Sequence, residues 1–312
     1  MFIKDEIDKI RCSENYSIDK YYLVQKINDK AAFFMNNNQL YFVVRAVSLE
    51  EKIDKTTYLT LYTHININAS HDAGSIENGY YDMLIYNGSI DDPSFQSFYD
   101  LCAMFATSEY SISFSDFFDA LVKLFSAPKE QNYKNLIGFF GELFLIKEVS
   151  EKCNLVIAEN WHNSIGTNDK YDFSFKNFNI EVKTTSDETM EFEIKHSQIF
   201  NDKLNYLALF NIQSDNSGYT MSDLFDYFKE HNQFSSNIKF WVKLHTEKLK
   251  INQNDFASRK FSIKKLMFYC NRDLNTIGQI PECISKIHYL YNFANKKGCS
   301  LEEIFSNIST IN

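Results

Sequence analysis

The chain has 312 residues, of which 44% are hydrophobic and 23% charged, with only nine Gly and three Pro. This composition is typical of a well-packed globular protein and excludes collagenous, glycine-rich and long disordered architectures. The formal net charge of -9 excludes a protein that is basic over its whole surface, although a local basic face is compatible with it. The length is sufficient for one large or two modest domains, each with a real core.

The N-terminal sequence MFIKDEIDKIRCSEN carries closely spaced charges and no apolar stretch. The chain also lacks a run of about eighteen apolar residues, so we expect neither a signal peptide nor a membrane span. Its six cysteines include no Cys-x-x-Cys pair, which argues against a zinc ribbon or a redox motif. We therefore expect a cytoplasmic protein with free thiols.

Five β-branched or aromatic runs separated by turn-forming residues predict an antiparallel N-terminal sheet: YYLVQKI, AAFFM, LYFVVRAV, TYLTLYTHINI and YYDMLIY. The pair Asp92-Pro93 then predicts a helix start, and apolar residues follow at helical spacing. Two more helices are predicted at about 115–127 and 132–152. The second is apolar on nearly every side, which predicts burial.

From residue 154 the apolar residues shift toward a period of two. This pattern predicts strands in LVI, YDFSF, NIEVKT, EFEIK and NYLALFNI, with a short helical stretch at HSQIFND before the last of them. A helix at about 221–232, strands across the basic residues that follow, and a helix near LEEIF complete the predicted elements.

Three of the four charged residues in the predicted hairpin YDFSFKNFNIEVKTT lie on its strands. Because side chains alternate along a strand, Asp172, Glu181 and Lys183 share one face, and the aromatic and aliphatic residues share the other. Asp169 is an alternative first acid, but it falls in the preceding loop or on the apolar face. The predicted hairpin is therefore an acid–acid–lysine cluster on a sheet.

The register of this hairpin decides which of the charged residues meet. We expect Asn177-Phe178 at the tip, which pairs Phe175 with Ile180 and places Asp172 opposite Lys183. Directly opposed Cβ atoms lie about 5 Å apart and diagonal ones about 7 Å, so two carboxylates could share one cation. A loop of odd length would send Asp172 to the wrong face.

Such a cluster has the chemistry needed for phosphodiester hydrolysis. Two carboxylates hold a hard cation such as Mg²⁺, which polarises a phosphoryl oxygen and activates a water. An adjacent ammonium orients that water or stabilises the negative charge of the transition state. An isolated Glu-x-Lys in a strand is more often a solvated charge pair. Asp172, the order of the elements and the burial of the flanking strands are what indicate a site here.

With these residues in the order helix, strand, strand, strand, helix, strand, the sequence over about 132–212 resembles the PD-(D/E)xK nuclease superfamily. The resemblance implies an α+β or α/β fold with a restriction-endonuclease-like αβββαβ core and a mixed central sheet. GFFGELFLIKEV, YDFSFKNFNIEVKTT and HSQIF resemble, more narrowly, a poorly characterised branch whose members lie near bacterial restriction and antiphage genes. Tyr171 stands where the superfamily motif has Pro.

The resemblance also implies roles for individual residues. Asp172 and Glu181 match the metal ligands for Mg²⁺, or Mn²⁺ in its place, and Lys183 matches the catalytic lysine. Glu142 matches a helix Glu that helps to bind metal or to order the site in many members. Gln198 falls where related nucleases carry a supporting or substrate-positioning Gln.

Several of these candidates also have a structural interpretation. Glu142 could equally be a hydrogen-bonding partner between helices. Gly138 and Gly141 are interpreted as points of close packing, because glycine inside a helix destabilises it by roughly 1 kcal/mol. His196 is more consistent with a structural or substrate-positioning role, and His162 has no second ligand at metal spacing.

Charge is unevenly distributed along the chain. Residues 56–122 contain no Lys or Arg and nine acids, so we expect this region to face away from DNA and to dock a protein partner. Residues 236–272 hold two acids and nine cations, which we expect to contact the DNA backbone: Lys239, Lys243, Lys248, Lys250, Arg259, Lys260, Lys264, Lys265 and Arg272.

The sequence as a whole predicts a metal-dependent deoxyribonuclease in three parts. These are a β-rich domain at 1–110, a linking helix with the nuclease core at 111–215, and a mixed extension with the basic strip at 216–312. Double-strand cutting with one site per chain would favour a homodimer, and no membrane contact is expected. Two rival interpretations are a catalytically silent nucleic-acid-binding or adaptor subunit and an RNA-processing nuclease.

Overall fold

The structure of the protein is a computed structural model. It describes residues 3–14, 16–18, 20–47, 49–67, 76–108, 112–126, 133–162, 170–200, 202–278, 284 and 286–305, with the backbone alone for 133–135. The chain divides into two compact units: unit 1 is Met1–Pro128 with Ser235–Leu249, and unit 2 is Lys129–Phe234 with Lys250–Asn312. Within the ranges described, no helix is long and apolar enough to cross a membrane. The three-part division remains a prediction.

The described residues form helices and strands in both units. The helices are α1 (Ile3–Arg11), α2 (Pro93–Thr107), α3 (Phe114–Ser126), α4 (Tyr133–Cys153), α5 (His196–Ile199), α6 (Met221–Glu230), α7 (Ile238–Lys248), α8 (Gln253–Ser258) and α9 (Leu301–Phe305). The strands are β1 (Tyr22–Asn28), β2 (Ala31–Asn36), β3 (Gln39–Arg45), β4 (Ile53–Lys55), β5 (Leu59–Ile67), β6 (Gly79–Tyr86), β7 (Phe173–Ser174), β8 (Phe178–Thr185), β9 (Glu191–Lys195), β10 (Leu204–Tyr219), β11 (Phe261–Cys270) and β12 (His288–Asn292).

Unit 1 is built on one six-stranded sheet in the order β1-β2-β3-β6-β5-β4. Every neighbouring pair is antiparallel, which confirms the predicted N-terminal antiparallel sheet. The five predicted runs correspond to β1, β2, β3, β5 and β6. Strand β4 was not predicted, because three residues are too few to show a period of two.

The predicted start of α2 is confirmed. The Asp92 carboxylate accepts a hydrogen bond of 2.9 Å from Ser94 N, which satisfies one of the free N–H groups of the first turn. Pro93 occupies the first turn, where the N–H that it lacks has no helical partner. The rings of Phe95 and Phe98 are fully buried, so this cap sets a core-forming helix in place.

Unit 2 contains a mixed four-stranded sheet in the order β11-β10-β8-β7. Strands β8 and β10 are parallel, and the two outer pairs are antiparallel. The order α4, β7, β8, β9, α5, β10 follows the predicted sequence of elements. Strand β9 does not join this sheet and pairs with β12 in a separate two-stranded sheet. The stretch LVI, predicted as a strand, is not one.

Helix α4 packs directly on β8 at Gly141. A Cβ atom at Gly141 would lie 2.0 Å from Thr184 Oγ1 and 3.4 Å from Val182 Cγ1, so only glycine permits this approach. The prediction of close packing is wrong for Gly138, where a Cβ atom would meet nothing within 4 Å. Most apolar residues of α4 are buried, as predicted, and they cover the face of β8 that carries Val182 and Thr184.

The opposite face of the same sheet carries Glu181, Lys183 and their neighbours on β10. Leu207 pairs with Glu181 and Leu209 with Lys183 in the parallel register. Both leucines are buried in an apolar cluster to which β9, α5 and β11 also contribute: Met190, Phe192, Ile194, Ile199, Leu207, Leu209, Tyr269, Leu274 and Phe293. Glu181 is therefore next to an apolar layer.

The first half of the basic segment is helical, so the prediction of strands across the segment is wrong there. Residues 238–248 form α7, and residues 253–258 form α8, before β11 begins at Phe261. Each helix is capped by an asparagine: Asn237 accepts from Phe240 N at 3.0 Å and Asn252 from Asn254 N at 2.9 Å. These two caps are the sequence signal that could have predicted the helices.

Candidate active site

Strands β7 and β8 form the predicted hairpin, but the register differs by two residues. Phe173 pairs with Ile180, and Phe175 N donates to Phe178 O at 2.9 Å. The tip is therefore Lys176-Asn177, one residue earlier than predicted, and the predicted pairing of Phe175 with Ile180 is wrong. A shift of two residues keeps every side chain on its predicted face.

The packing of two aromatic rings explains this register. Phe178 is buried, and its ring stacks on that of Phe175 with centroids 4.4 Å apart. A tip at Phe178 would expose this ring to water and lose the favourable burial. Lys203 also holds the turn, because its Nζ donates to Phe175 O at 2.9 Å and to Asn179 Oδ1 at 3.1 Å.

Asp172 lies immediately before β7. Continuing the observed pairing places it opposite Glu181, so the predicted position opposite Lys183 is wrong. Its Oδ2 accepts a hydrogen bond of 2.7 Å from Val182 N, and its backbone carbonyl accepts one of 2.9 Å from His162 N. These two bonds fix both the carboxylate and the backbone of Asp172 beside the centre of β8.

Glu181 is a buried carboxyl group with a perturbed pKa. It is 6% exposed. Burial raises its pKa from the ordinary 4.5 to about 7, and the negative charge of Asp172 raises it as well. The ammonium group of Lys183 and a hydrogen bond from Gln198 lower this pKa. The two carboxylates are therefore close enough to repel each other in a poorly solvated place.

Lys183 completes the predicted cluster. Its Nζ lies 2.6 Å from Glu181 Oε1, and its side chain is 26% exposed while that of Glu181 is 8% exposed. The ammonium group therefore lies between the buried carboxylate and solvent. Asp172, Glu181 and Lys183 are brought together at one end of the hairpin, as the sequence predicted.

Gln198 joins this group from α5. The residue is buried, and its Oε1 accepts a hydrogen bond of 3.0 Å from Lys195 N. With the amide oxygen occupied in this way, the amide nitrogen is the donor to Glu181. Gln198 therefore links the end of β9 to the buried carboxylate, which agrees with a supporting role.

Glu142 is held by a residue that the sequence analysis did not select. Trp161 Nε1 donates to Glu142 Oε2 at 2.6 Å, and the Trp161 ring stacks on Phe139 with centroids 6.0 Å apart. A buried indole N–H requires an acceptor, but the sequence does not say which carboxylate will supply it. The bond gives Glu142 a structural contact, but with Trp161, which lies in a β-bridge to Phe173 and not in a second helix as expected. The role of Glu142 as a metal ligand remains a prediction.

The remaining polar candidates are placed as follows. His196 Nδ1 bonds to Tyr289 OH at 2.6 Å, and its ring stacks on Phe200 with centroids 4.7 Å apart. These contacts give His196 a structural role at the start of α5. Asp169, the alternative first acid, lies outside the described residues.

The predicted basic strip does not belong to a single unit. Lys239, Lys243 and Lys248 lie on α7 in unit 1, and the other six cations lie in unit 2. Lys239 is exposed, but Lys243 is only 5% exposed and is removed from the set of DNA contacts. The nine cations therefore divide into three in unit 1 and six in unit 2.

The group in unit 2 surrounds β11. Lys265 pairs with Asn211, which pairs with Thr185, so Lys265 shares a sheet face with Glu181 and Lys183. The exposed residues of this group are Lys260, Lys264 and Arg272; the half-buried ones are Lys250, Arg259 and Lys265. Arg259 also bonds to Asp255 at 2.9 Å, and Lys264 lies 3.9 Å from Glu188.

The oxygen donors of Asp172 and Glu181 are of the kind that hard divalent cations prefer. Across the described parts of the chain, no group of three or more His, Cys, Asp or Glu is arranged to hold a metal. Mg²⁺ in phosphate-processing sites is typically held by one or two carboxylates, with waters and substrate phosphates as its other ligands. The carboxylates of Asp172 and Glu181, whose repulsion a divalent cation would relieve, fit Mg²⁺ or Mn²⁺.

Comparison with known proteins gives one match. The family profile described as "Putative PD-(D/E)XK family member" (DUF4420) matches residues 24–293. The comparisons with curated proteins and with solved structures gave no match. The matched range covers most of both units and includes Asp172, Glu181 and Lys183, and the chain therefore belongs to this PD-(D/E)XK family.

Proposed function

We propose that the chain is a metal-dependent endonuclease that hydrolyses DNA phosphodiester bonds. The observation that carries the proposal is the convergence of Asp172, Glu181 and Lys183, in which a buried carboxylate faces a second one and bonds to a lysine. Membership of a PD-(D/E)XK family supports nuclease chemistry for these residues. An α+β unit with a mixed sheet supports a restriction-endonuclease-like core.

Each residue has a separate task in this proposal. Asp172 and Glu181 would hold the divalent cation, with Asp172 kept in position by its bond to Val182 N. When bound there, the cation polarises a phosphoryl oxygen and lowers the pKa of water. Gln198 holds Glu181 in place and favours its ionised form.

Lys183 has the task that requires access to solvent. Its ammonium group is partly exposed and bonds to Glu181 at 2.6 Å. From that position it orients the attacking water or stabilises the negative charge that grows on the phosphoryl oxygens. Removal of this charge should therefore slow the chemical step more than it weakens DNA binding.

The cations around β11 are proposed as the DNA-backbone contact of unit 2. Lys260, Lys264 and Arg272 are exposed, and Lys265 shares the sheet face of the catalytic residues. Contacts to phosphates position a duplex without reading its sequence. We therefore expect binding that weakens steeply with salt and depends little on sequence.

The biological setting is proposed as a bacterial restriction or antiphage system, in which the acidic region of unit 1 docks a protein partner. Residues 56–122 fall mainly in β5, β6, α2 and α3. Because unit 1 also includes 235–249, removal of 1–110 would cut through it. Substitution of exposed Asp91 and Asp119 by Asn is the cleaner test, and unchanged co-purification of a partner would contradict the docking surface.

The experiment that tests the function compares nucleic acids in one assay. Supercoiled plasmid and structured RNA are incubated with the protein in Mg²⁺, Mn²⁺ or EDTA, alongside Glu181→Gln. Cleavage of plasmid that requires metal and Glu181 supports the proposal. Cleavage of RNA alone would favour an RNA-processing nuclease. Binding without cleavage of either substrate would favour a silent adaptor.

A further inference from the structure

Unit 1 contains a cavity of about 970 Å³ that the catalytic residues do not use. Its walls come from β3 and the segment that follows it, β5, β6, Phe105 of α2, the beginning of α3 and Lys239 of α7, all within unit 1. Ligand sites typically have volumes of about 300–1,000 Å³ and combine apolar walls with a few fixed polar groups. This cavity has apolar walls and a buried carboxylate, that of Asp82.

Asp82 is the fixed polar group. It is 3% exposed and lies in β6 opposite a bulge of β5, where Thr63 and His64 leave the ladder. Its Oδ1 accepts a hydrogen bond of 2.9 Å from His64 N, and Val47 N also donates to the carboxylate. An ionised carboxylate has about four acceptor positions, so Asp82 can accept further hydrogen bonds from a molecule in the cavity.

Two aromatic rings form part of the apolar wall. Phe105 is fully buried and Phe114 half-buried, and their ring centroids lie 5.6 Å apart. Val44 and Leu61 add buried aliphatic surface to the same cavity. A flat ring with polar edges is the kind of ligand that packs against such a wall while its edge reaches a carboxylate.

Three cations line the same cavity on exposed side chains. They are Arg45, Lys52 and Lys239. Arg45 lies 3.7 Å from Glu77, and Lys52 bonds to Asp54, so Lys239 is the simplest one to assign to a ligand. Two exposed acids, Glu50 and Asp116, also line the cavity, so its charged lining is balanced and Lys239 is the cation left to assign to a ligand. The cavity therefore joins a buried acceptor to one exposed cation, which suits a ligand with N–H donors at one end and an anionic group at the other.

We propose that this cavity binds a nucleotide, with Asp82 accepting N–H groups of the base, the wall of Phe105 and Phe114 packing against its ring, and Lys239 contacting its phosphate. Guanine is expected to bind most tightly, because its N1–H and N2–H groups are adjacent donors that match a carboxylate. The nucleotide can be free, or it can be one residue of a nucleic acid whose base is turned out of the stack.

Calorimetric titration of the full chain in EDTA tests the proposal without any cleavage. The probes are GMP, guanosine, AMP, UMP and inorganic phosphate, at about pH 8, because burial raises the pKa of Asp82 and the carboxylate must be ionised. GMP should bind most tightly. Asp82→Asn should weaken GMP by about tenfold and remove its preference over AMP. This variant keeps an acceptor oxygen for His64 N, so a purely structural Asp82 would leave the preference unchanged.

A second pair of variants separates charge from folding. Lys239→Ala, at an exposed position, should weaken GMP but not guanosine, whereas Lys30→Ala, at an exposed lysine outside the cavity lining, should change neither. Failure of every nucleotide to bind would overturn the proposal, as would equal affinity of GMP for wild type, Asp82→Asn and Lys239→Ala. Competition by phosphate as strong as that by GMP would also overturn it.

The two sources of the nucleotide are separated by a parallel titration. One probe is an oligothymidylate with a single guanosine, and another is a duplex that places guanosine opposite an abasic site. Tighter binding of these probes than of GMP, sensitive to Asp82→Asn, assigns the site to a base of a nucleic acid. Tighter binding of GMP assigns it to a free nucleotide, and the absence of an Asp82 effect on any probe contradicts both.

Discussion

Lys183 Nζ lies 2.6 Å from Glu181 Oε1, and the two residues are neighbours on one face of a single strand. Side chains two positions apart in a strand point to the same side, so this bond requires both to lean together. The contact lowers the pKa of Glu181, which burial and Asp172 raise. It also holds the ammonium group of Lys183 against the Glu181 carboxylate.

Gln198→Ala should shift the pH dependence of cleavage. The variant loses the hydrogen bond that favours ionised Glu181, so the pKa of Glu181 rises and metal binding requires a higher pH. We expect the acid limb of the pH–rate profile to move up by about one unit. Ser197→Ala is the control, because this exposed neighbour uses only its backbone carbonyl to bond Tyr171. Equal profiles for both variants would exclude a positioning role for Gln198.

Glu181→Gln should stabilise the metal-free protein at high pH. The pKa of Glu181 is about 7 in the folded chain and near 4.5 when unfolded, so the folded state binds more protons between these values. The stabilisation that comes from protonated Glu181 is thus fully present below about pH 4.5 and is lost as the pH rises through about 7. In EDTA, the Tm of Glu181→Gln minus the Tm of wild type should therefore increase as the pH rises from about 5 to about 8.

The control for this measurement is Glu188→Gln, since the Glu188 side chain is 92% exposed. The Tm of Glu188→Gln in EDTA should vary with pH in the same way as that of wild type. Mn²⁺ should raise the Tm of wild type more at the upper end of the range than at the lower end, because Glu181 is ionised there. A Tm difference that does not vary with pH would contradict the perturbed pKa.

Gly141→Ala should destabilise unit 2. The new methyl group would lie 2.0 Å from Thr184 Oγ1, so helix α4 or strand β8 must move. Overpacking of this kind lowers the free energy of unfolding by about 1–3 kcal/mol. Gly138→Ala is the matched control in the same helix; it meets no neighbouring atom within 4 Å and should keep or raise stability. Thermal unfolding of both variants checks the packing.

A second substitution identifies the clash itself. Thr184→Ala removes the oxygen that the new methyl group would meet. Most of the loss caused by Gly141→Ala should then disappear in the double variant. Additive losses would show that the methyl group does not meet Thr184 and would contradict the packing of α4 on β8.

Lys260→Ala and Lys264→Ala should weaken DNA binding evenly across sequences. Both side chains are exposed near β11, and each is expected to contact one phosphate. Each substitution should reduce the slope of log affinity against log salt by about one. Lys152→Ala is the control, because Lys152 of α4 pairs with Glu148 at 2.6 Å. Fluorescence anisotropy over a salt series makes the comparison, and unchanged slopes would remove β11 from the DNA contact.

The hairpin shows what local patterning could predict. Alternation in YDFSF and NIEVK placed Asp172, Glu181 and Lys183 on one face, and the structure keeps them there. The pairing within that face depends on which residues form the tip. The burial of Phe178 against Phe175 decides this choice together with Lys203, which bonds to the turn from 28 residues further along the chain.

The basic segment shows where a charge count misleads. The nine cations of 236–272 are close in sequence, but the chain passes from unit 1 to unit 2 at residues 249–250. Lys243 is buried although it is charged, and a count of charges contains no information on burial. The Trp161–Glu142 bond and the cavity beside Asp82 were also missed, since each joins residues of different elements and the pattern within one element does not show how elements pack.

The most direct measurement is the initial rate of plasmid cleavage by wild type and Lys183→Ala, on methylated and unmethylated DNA, with DNA affinity measured in EDTA. Wild type should cut in Mg²⁺ and not in EDTA. Lys183→Ala should cut at least about 100-fold more slowly while binding DNA with the same affinity. Equal rates for the two proteins, or no cleavage by wild type in any metal, would contradict the assignment of Asp172, Glu181 and Lys183 as a nuclease site.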